Sequence, residues 1–401
     1  MSGKRALIIG GSVGGLFAAG LLRAAGWDVA VFERSAEDLA ERGAGIGTRE
    51  DLFRIMRRIG IALDPTAGVQ VKSRLCLDRS GTVVHERAVP ATNSAWDRIY
   101  RPLKDALPAE CYHAGMRFED FAESAGGVIA HFAGGVRAEG DVLIGADGLS
   151  STVRRFLAPD AEPRYAGYVC WRGVIEETLL PAAIHAQLFE HFTFGLPEDE
   201  LFLCLPMPGR GADTRAGRRR FHWVWFRAAD EARARSVPPP LIRAEVVDEL
   251  RSHAGAVLAP QLAAIVGLTA QPLLHPIYDL DSPRIGFGRA ALLGDAAFVA
   301  RPHVGTGVTK AARDAECLAD ALAADPDPAA AIVSFDRERR AFGSALVARS
   351  RELGAYLEAR ARGSASAAPQ DPETVLREYG AAGSLADSVF ATPRASAPPG
   401  A

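Results

Sequence analysis

A glycine-rich turn at residues 10–15 is the first part of the sequence whose residue types and spacing suit chemistry. It joins a short β-branched apolar run, residues 6–9, which has the length of a buried strand, to an apolar helical pattern. A second strand pattern, residues 29–32, ends at Glu33. A dinucleotide-binding unit has this order and spacing: a strand, a glycine turn, a helix, a second strand and an acidic residue within about 30 residues. A glycine turn without a ligand is the alternative, and the flanking strand and acid count against it.

Each position of this turn has an expected role. Gly10 allows the tight turn, and Gly14 and Gly15 let the helix pack close to the sheet. Free N–H groups at the start of the helix would face a pyrophosphate. Glu33 is placed to accept hydrogen bonds from a ribose hydroxyl. Ser12 stands where the usual motif has glycine, and its hydroxyl would lie close to the phosphates.

Two later strand patterns also end in polar turns. One leads into Asp147 and Gly148, and either serine of the pair 150–151 can cap the helix that follows. Asp147 is a site candidate, with a plain turn former as the alternative. The other leads into Gly294-Asp295, and Gly305-Thr306-Gly307 then opens a helix whose bare N–H groups suit an anion. We expect the three turns to meet at one ligand, because ligands gather at the carboxyl ends of such strands.

The middle of the chain has the pattern of an antiparallel sheet. Strand-like runs, one of them at residues 186–196, follow one another between residues 164 and 227 without helices. The two faces of the last run are formed by Phe221, Trp223 and Trp225 and by His222, Val224 and Phe226. Both faces are apolar, so we expect one to pack in the core and the other to line a cavity.

Composition sets limits on the class of protein. The 401 residues are 48% apolar and 24% charged, as in ordinary globular proteins, and the net charge of −3 gives no reason to expect nucleic acid or an anionic membrane as partner. The five cysteines are widely spaced, so we expect reduced thiols and no structural metal site. No apolar run approaches the roughly 18 residues of a membrane span. The first strand begins within a few residues of Met1, and we expect a cytoplasmic protein.

The sequence predicts a mixed α/β fold with interleaved domains. Residues 1–70, 95–163 and 276–362 would form a Rossmann-like dinucleotide-binding domain, and residues 71–94 and 164–275 an antiparallel substrate-binding sheet. Within the first domain, residues 96–107 start a helix with Pro102 in its first turn. A long C-terminal helix at residues 329–360 would cover the sheet or a partner subunit. Residues 363–401 read as a mobile Ala/Pro/Ser-rich tail.

The three turns together resemble those of the flavin-dependent aromatic hydroxylases of the p-hydroxybenzoate hydroxylase type, which are single-component FAD monooxygenases. The resemblance runs from Leu7 to about Arg360. Within that family the sequence is most similar to the dihydroxypyridine hydroxylases. This more specific resemblance depends on four sequence segments, at residues 10–12, 165–174, 192–196 and 301–303.

The resemblance implies bound FAD and a set of residues that hold it. Tyr100 and Phe298 are departures, because many relatives carry arginine and histidine there. The implied ring contacts are Gly45 and Ile46, and Asp295 would bind the ribityl chain. The full set of predicted cofactor residues is Gly10, Ser12, Val13, Gly14, Gly15, Glu33, Arg34, Gly45, Ile46, Tyr100, Asp147, Gly294, Asp295, Gly305, Thr306 and Gly307.

The family also implies the reaction. NADH or NADPH would act as a transient co-substrate, and a flavin hydroperoxide would transfer hydroxyl from O2 to an electron-rich ring. That chemistry requires an apolar pocket without water, and a histidine or tyrosine near the ring would help to deprotonate the substrate. The predicted catalytic residues are His303, Tyr168, His222 and Pro302, with His303 ranked first. Tyr100 is a further candidate for the deprotonation, and His191 and His275 have weaker claims.

Three functions remain open from the sequence. The first is hydroxylation of a dihydroxypyridine-like or phenolic ring. The second is decarboxylating hydroxylation of a hydroxynicotinate-like or salicylate-like acid, which needs an arginine or histidine at the carboxylate. Arg172 is equally compatible with a structural ion pair. The third is a flavin-binding protein that captures a planar ligand without turnover. A homodimer is a further expectation.

Overall fold

The computed structural model describes residues 4–39, 45–47, 50–64, 68–124, 126–231, 242–361 and 371–379. Its strands are β1 Arg5–Ile9, β2 Asp28–Glu33, β3 Gly45–Gly47, β4 Val69–Leu77, β5 Val83–Ala95, β6 Tyr112–Ala114, β7 Phe118–Ser124, β8 Gly127–Phe132, β9 Val136–Gly140, β10 Val142–Gly145, β11 Arg164–Glu176, β12 His191–Gly195, β13 Leu201–Met207, β14 Arg220–Ala228, β15 Leu273–Asp281, β16 Gly286–Phe287, β17 Ala290–Leu292 and β18 Phe298–Val299.

The helices alternate with these strands in the first part of the chain and cluster at its end. They are α1 Val13–Ala24, α2 Glu50–Arg58, α3 Trp96–Asp105, α4 Thr152–Leu157, α5 Ala182–Leu188, α6 Ala244–Val257, α7 Pro260–Leu268, α8 Gly307–Ala324, α9 Pro328–Ala361 and α10 Pro372–Glu378. None of the helices that the structure describes combines the length and the hydropathy needed to cross a bilayer.

A six-stranded sheet brings the three turns together. Its strand order is β16-β17-β10-β1-β2-β6, and β17, β10, β1, β2 and β6 run parallel. The carboxyl ends of β1, β10 and β17 therefore lie side by side at one edge. Apart from the exposed first residues Arg5 and Asp28 and the buried Glu33, the strands β1, β2, β10 and β17 are apolar and buried, as expected where helices cover both faces of a sheet.

A nine-stranded sheet forms the other half of the molecule. Its order is β18-β15-β11-β14-β13-β12-β4-β5-β3, and it is antiparallel except where β12 runs parallel to β4. One face packs on α6 and α7 in a core that contains Phe221, Trp223 and Trp225. The opposite face carries Val224 and Phe226. The fold class expected from the sequence is confirmed: a Rossmann-like parallel sheet, a large antiparallel sheet and a long C-terminal helix.

Local predictions were wrong at three places. Residues 186–188 belong to α5 and not to a strand, because Ile184 and Leu188 bury one helical face. Pro102 lies inside α3 and not in its first turn, and the helix continues because Ile99 and Leu103 are buried on the same side. Residues 372–378 form α10 within the segment read as a tail, since their apolar side chains pack against the large sheet and α9.

Candidate active site

The first turn leaves no room for side chains. Gly10 has a φ of +110°, and a Cβ on Gly10 would lie 2.4 Å from the carbonyl oxygen of Ala146 in the second turn. A Cβ on Gly15 would lie 1.9 Å from the carbonyl oxygen of Gly10, so α1 packs directly on the turn. Helix α1 begins at Val13, and the Ser12 side chain makes no capping hydrogen bond. The first N–H groups of α1 are thus open to a ligand.

Glu33 fastens this turn to the end of β2. Its Oε2 accepts a hydrogen bond from the Gly11 N–H at 2.8 Å, and its Oε1 accepts from the Ser35 N–H at 2.9 Å. Glu33 is buried in this arrangement, with 8% of the residue exposed. Because a carboxylate offers about four acceptor positions, capacity remains for a ribose hydroxyl. Arg34, which follows it, is exposed.

The second turn is closed by its own hydrogen bonds. Asp147 accepts from the Ser151 hydroxyl at 2.5 Å and from the Thr152 N–H at 2.6 Å. Ser151 Oγ in turn accepts from the Arg154 N–H, which confirms a serine cap at the start of α4. Asp147 therefore acts here as a helix-capping and turn-forming residue. The guanidinium of Arg154 donates to the carbonyl oxygen of Ala296, which ties the second turn to the third.

Side chains of α8 hold the third turn in place through hydrogen bonds. The Gly294 N–H donates to Asp314 at 3.1 Å, and the buried ammonium of Lys310 donates to the Phe298 carbonyl at 2.6 Å. Lys310 Nζ also lies 3.6 Å from Asp295, whose side chain is half exposed. Gly305 has a φ of +62°, and Thr306 and Gly307 start α8. The Thr306 hydroxyl is buried and finds no hydrogen-bond partner among the described residues.

A cavity of about 510 Å³ lies between the second and third turns and the large sheet. Leu149, Asp295 and Gly305 bring the second and third turns to its wall, and Gly45 adds β3. The expectation that one face of β14 lines a cavity is confirmed, because His222, Val224 and Phe226 border it. The polar wall residues include His222, His275, His303, Arg74, Arg172, Asn93, Tyr278 and Tyr379.

His303 is paired with Tyr168 at this wall. The Tyr168 hydroxyl oxygen lies 2.7 Å from Nε2 of His303, and both residues are almost fully buried. His303 Nδ1 finds no hydrogen-bond partner in the described part of the chain. Burial, with a smaller contribution from the Arg301 charge, lowers the pKa of His303 to about 3. Burial also raises the pKa of Tyr168, so both groups are neutral near pH 7.

His222 and Arg172 form a second polar pair in the cavity. Arg172 Nε donates to His222 Nε2 at 3.4 Å, and His222 Nδ1 is buried without a partner among the described residues. Burial, then the Arg172 and Arg220 charges, hold the pKa of His222 well below its usual value. Burial and Arg172 likewise lower the pKa of His275. No carboxylate of the described residues pairs with Arg172, so an ion-pair role is not supported.

The structure separates the predicted site residues into three groups. Tyr168 lies behind His303, and Tyr100 is buried in the first core, stacked on Trp96 with ring centroids 4.6 Å apart. His191 bonds Ser73 and does not border the cavity. The predicted residues that border the cavity are His303, His222, His275, Pro302, Gly45, Asp295 and Gly305, whereas Ile46 on β3 and the exposed Arg34 do not. Those at the strand-end turns or helix starts are Gly10, Ser12, Val13, Gly14, Gly15, Glu33, Asp147, Gly294, Thr306 and Gly307.

Sequence reasoning missed several polar wall residues, two of which lie far apart in the chain. Arg74 is on β4, and Tyr379 follows α10. The sequence does contain the pattern of a helix start: Asp371 stands at the capping position, Pro372 is the first helical residue, and the apolar pair 375–376 follows. The low-complexity residues on either side obscured it.

The residues at this site fit FAD. The open start of α1 suits a pyrophosphate. The buried Thr306 hydroxyl at the start of α8 and the His222 Nδ1 at the cavity wall find no partners within the described part of the chain, so a ligand could supply them. The cavity wall beside β3 is glycine, and a Cβ on Gly45 would come within 3.7 Å of His222 Nδ1. Among the described residues no group of His, Cys, Asp or Glu side chains is arranged to hold a metal ion.

The fold and site define a flavin-dependent oxidoreductase, and comparison with known proteins agrees. An "FAD binding domain-like" family model matches residues 165–279. The chain is 29% identical over 375 residues to 2,6-dihydroxypyridine 3-monooxygenase of Paenarthrobacter nicotinovorans, covering 88% of this chain and 91% of that one. It is 29% identical to the FAD-dependent urate hydroxylase of Klebsiella pneumoniae, over 84% and 85% of the two chains.

A solved structure extends the agreement to the whole fold. The 2,6-dihydroxypyridine-3-hydroxylase from Arthrobacter nicotinovorans superposes with a TM-score of 0.83 at 28% identity, covering 92% of this chain and 95% of that chain. The chain is similar to FAD-dependent aromatic monooxygenases over most of its length, and FAD is its cofactor. The interpretation as a flavin-binding protein without turnover is therefore set aside.

Proposed function

We propose that this enzyme uses O2 and NADH or NADPH to hydroxylate an electron-rich aromatic or N-heteroaromatic ring of the dihydroxypyridine type. The similarity to 2,6-dihydroxypyridine 3-monooxygenase over most of both chains supports this substrate class. The observation that carries the proposal is the cavity wall at His303, where a neutral imidazole keeps one ring nitrogen without a partner among the described residues. A ring hydroxyl in the cavity would supply that partner.

The turns around the cavity would hold FAD in order along its length. The start of α1 from Ser12 to Gly15 would bind the pyrophosphate, and Glu33 the ribose. Asp295 would contact the ribityl chain, with Gly45 and Ile46 beside the ring. The N–H groups and positive dipole end of α8 at Gly305–Gly307 would stabilise negative charge on the reduced ring. Bound FAD supplies the redox chemistry that activates O2.

The chain's own residues would position the substrate and exclude water. Val224 and Phe226 give the sheet side of the cavity an apolar surface, which keeps water away from the reacting atoms. The His303 imidazole, neutral because of its low pKa, is able to accept a hydrogen bond from a substrate hydroxyl and so orient that hydroxyl in the cavity. The tautomer that accepts at Nδ1 donates from Nε2 to the Tyr168 oxygen, so Tyr168 would hold the ring in orientation.

A substrate screen with the purified holoenzyme tests the proposal. Dihydroxypyridines, hydroxynicotinates and phenols would be compared for stimulation of NADH and NADPH oxidation, and each product would be weighed by mass spectrometry. We expect a dihydroxypyridine to give the strongest stimulation and a product heavier by one oxygen. Stimulation by no hydroxylated ring, or oxidation that yields only hydrogen peroxide with every compound, would contradict it.

Arg172 favours a second candidate, decarboxylating hydroxylation of a hydroxynicotinate-like or salicylate-like acid. Its guanidinium borders the cavity and has no carboxylate partner among the described residues, so a substrate carboxylate would find a charge partner there. Product mass separates the two functions: a dihydroxypyridine gains one oxygen, whereas a hydroxynicotinate that is processed in this way also loses carbon dioxide.

A further inference from the structure

The C-terminal helix α10 packs against the substrate side of the molecule. Val375, Leu376 and Tyr379 are each no more than 3% exposed and belong to the same apolar cluster as Tyr168 and Phe226. Helix α10, which follows the long helix α9 in the chain, thus covers part of the substrate domain.

Arg74 of β4 fixes the end of this segment. Its Nη1 donates to the carbonyl oxygens of Leu376 at 2.8 Å and Tyr379 at 2.6 Å. The guanidinium is buried, and burial, then repulsion by Arg87, lowers its pKa to about 10, so it keeps its charge near pH 7. A charged donor on two carbonyls at the end of a helix is a strong and directional contact. The same arginine borders the cavity, so the segment and the cavity wall share an anchor.

Tyr379 carries this segment into the cavity wall. Its ring lies edge-on to the His303 ring, with centroids 5.5 Å apart, and it borders the cavity directly. Its hydroxyl donates to the Leu353 carbonyl of α9. The ring is therefore held at the hydroxyl by α9 and at the backbone by Arg74, which leaves it little freedom to move aside for a larger ligand.

We propose that Tyr379 is a specificity-determining residue, whose fixed ring ends the cavity beside His303 and restricts it to single-ring substrates. The inference rests on the proposed function, because it assumes that a ring binds beside His303. Removing the Tyr379 side chain opens space next to His303, which a fused second ring can fill. The same removal takes contact surface from a single ring, and that ring binds less tightly.

The role of Tyr379 can be tested without turnover, by measuring how tightly ring compounds bind to the oxidised holoenzyme. Dissociation constants for 2,6-dihydroxypyridine and for 2-hydroxyquinoline, a two-ring probe, would be measured from the perturbation of the flavin absorption band. We expect Tyr379→Ala to shift the ratio of the two constants by about tenfold or more toward the two-ring probe, the scale of a cavity-sized change in a binding site. Tyr379→Phe keeps the ring and should keep the wild-type ratio.

Controls separate a local effect from a damaged fold. Arg377→Ala alters an exposed residue of the same helix and should leave the ratio unchanged. Arg74→Gln weakens the anchor and should shift the ratio in the same direction as Tyr379→Ala. If Tyr379→Ala does not retain FAD, Tyr379→Leu replaces it, with a smaller expected shift. An unchanged ratio in the folded variant, or an equal shift in Arg377→Ala, would overturn the inference.

The outcomes for the two proposals are distinct. A shifted ratio with no ring-stimulated NADH or NADPH oxidation would retain the role of Tyr379 and refute the hydroxylase function. Hydroxylation of a ring together with an unchanged ratio would support the hydroxylase function and refute the role of Tyr379. Failure of the wild-type protein to bind any ring would refute both.

Discussion

The Tyr168 hydroxyl oxygen and the His303 Nε2 atom lie 2.7 Å apart, and Gly354 of α9 packs against both groups. A Cβ on Gly354 of α9 would come within 2.5 Å of that hydroxyl and 3.1 Å of Nε2. Helix α9 therefore packs closely on the pair, in which the imidazole borders the cavity and the phenol does not. This geometry assigns the two residues different expected roles.

His303→Ala should slow hydroxylation more than it weakens FAD binding. The variant removes the neutral nitrogen proposed to act on the substrate hydroxyl, and a loss of about 10²–10⁴-fold in kcat is the usual scale for a positioned acid–base group. Tyr168→Phe is the matched variant, and it should cost less because it removes only the orienting bond. Single-turnover rates and the FAD dissociation constant give the comparison. Equal turnover in His303→Ala would remove this residue from the mechanism.

The low pKa of His303 also predicts a pH dependence of stability. The unfolded histidine titrates near its ordinary pKa of about 6.5, whereas the folded one titrates at about 3. Below pH 6.5 the unfolded state binds the proton more readily, so the free energy of unfolding should fall by up to about 1.4 kcal/mol per pH unit toward pH 3. Above pH 6.5 this residue contributes no slope.

Chemical denaturation at pH 7, 6 and 5 measures that slope. His303→Gln should reduce it relative to the wild type. The substitution His113→Gln changes a partly exposed histidine and serves as the control. The same slope in His303→Gln and the wild type would show that His303 titrates normally.

The parts of the fold that depend on local sequence were predictable. The first turn is recognisable in the sequence because a Cβ on Gly10 or Gly15 would strike backbone atoms, so glycine is required at both positions. The two apolar faces of β14 predicted the cavity, since a strand exposed to solvent on one face would alternate with polar residues. These signals arise within a single strand or turn.

The contacts between distant segments were not predictable. Arg74 meets the Tyr379 carbonyl across 305 residues of sequence, and no local pattern records that pairing. Asp147 was correctly placed at a strand end, but its hydrogen bonds to α4 can be seen only in the folded chain. The predicted roles in FAD binding and catalysis, the domain boundaries, the nicotinamide co-substrate and the homodimer stay predictions.

Arg172→Met should discriminate between substrates by charge. Loss of the guanidinium should raise the KM for a carboxylated ring by roughly tenfold or more, as expected when a charge-assisted bond is lost, and should change the KM for an uncharged phenol little. Removal of Arg172 should also raise the pKa of His275, because the Arg172 charge contributes to lowering that pKa.

Arg172→Lys keeps the charge and should recover part of the affinity for a carboxylated ring. A uniform KM increase for all rings would instead assign Arg172 a structural role.

Gly15→Ala should destabilise the protein and prevent retention of FAD. The new Cβ would lie 1.9 Å from the Gly10 carbonyl oxygen. This clash can be relieved only by moving the backbone of α1 away from the sheet. Gly14→Ala places its Cβ 3.3 Å from the flexible Leu293 side chain and should cost much less. Gly255→Ala, in an open part of α6, should be neutral or stabilising by up to about 1 kcal/mol, as helix propensity predicts. Thermal unfolding and the flavin-to-protein absorbance ratio of the three purified variants provide the measurement. A Gly15→Ala protein as yellow and as stable as the Gly14→Ala protein would contradict the packing described for the first turn.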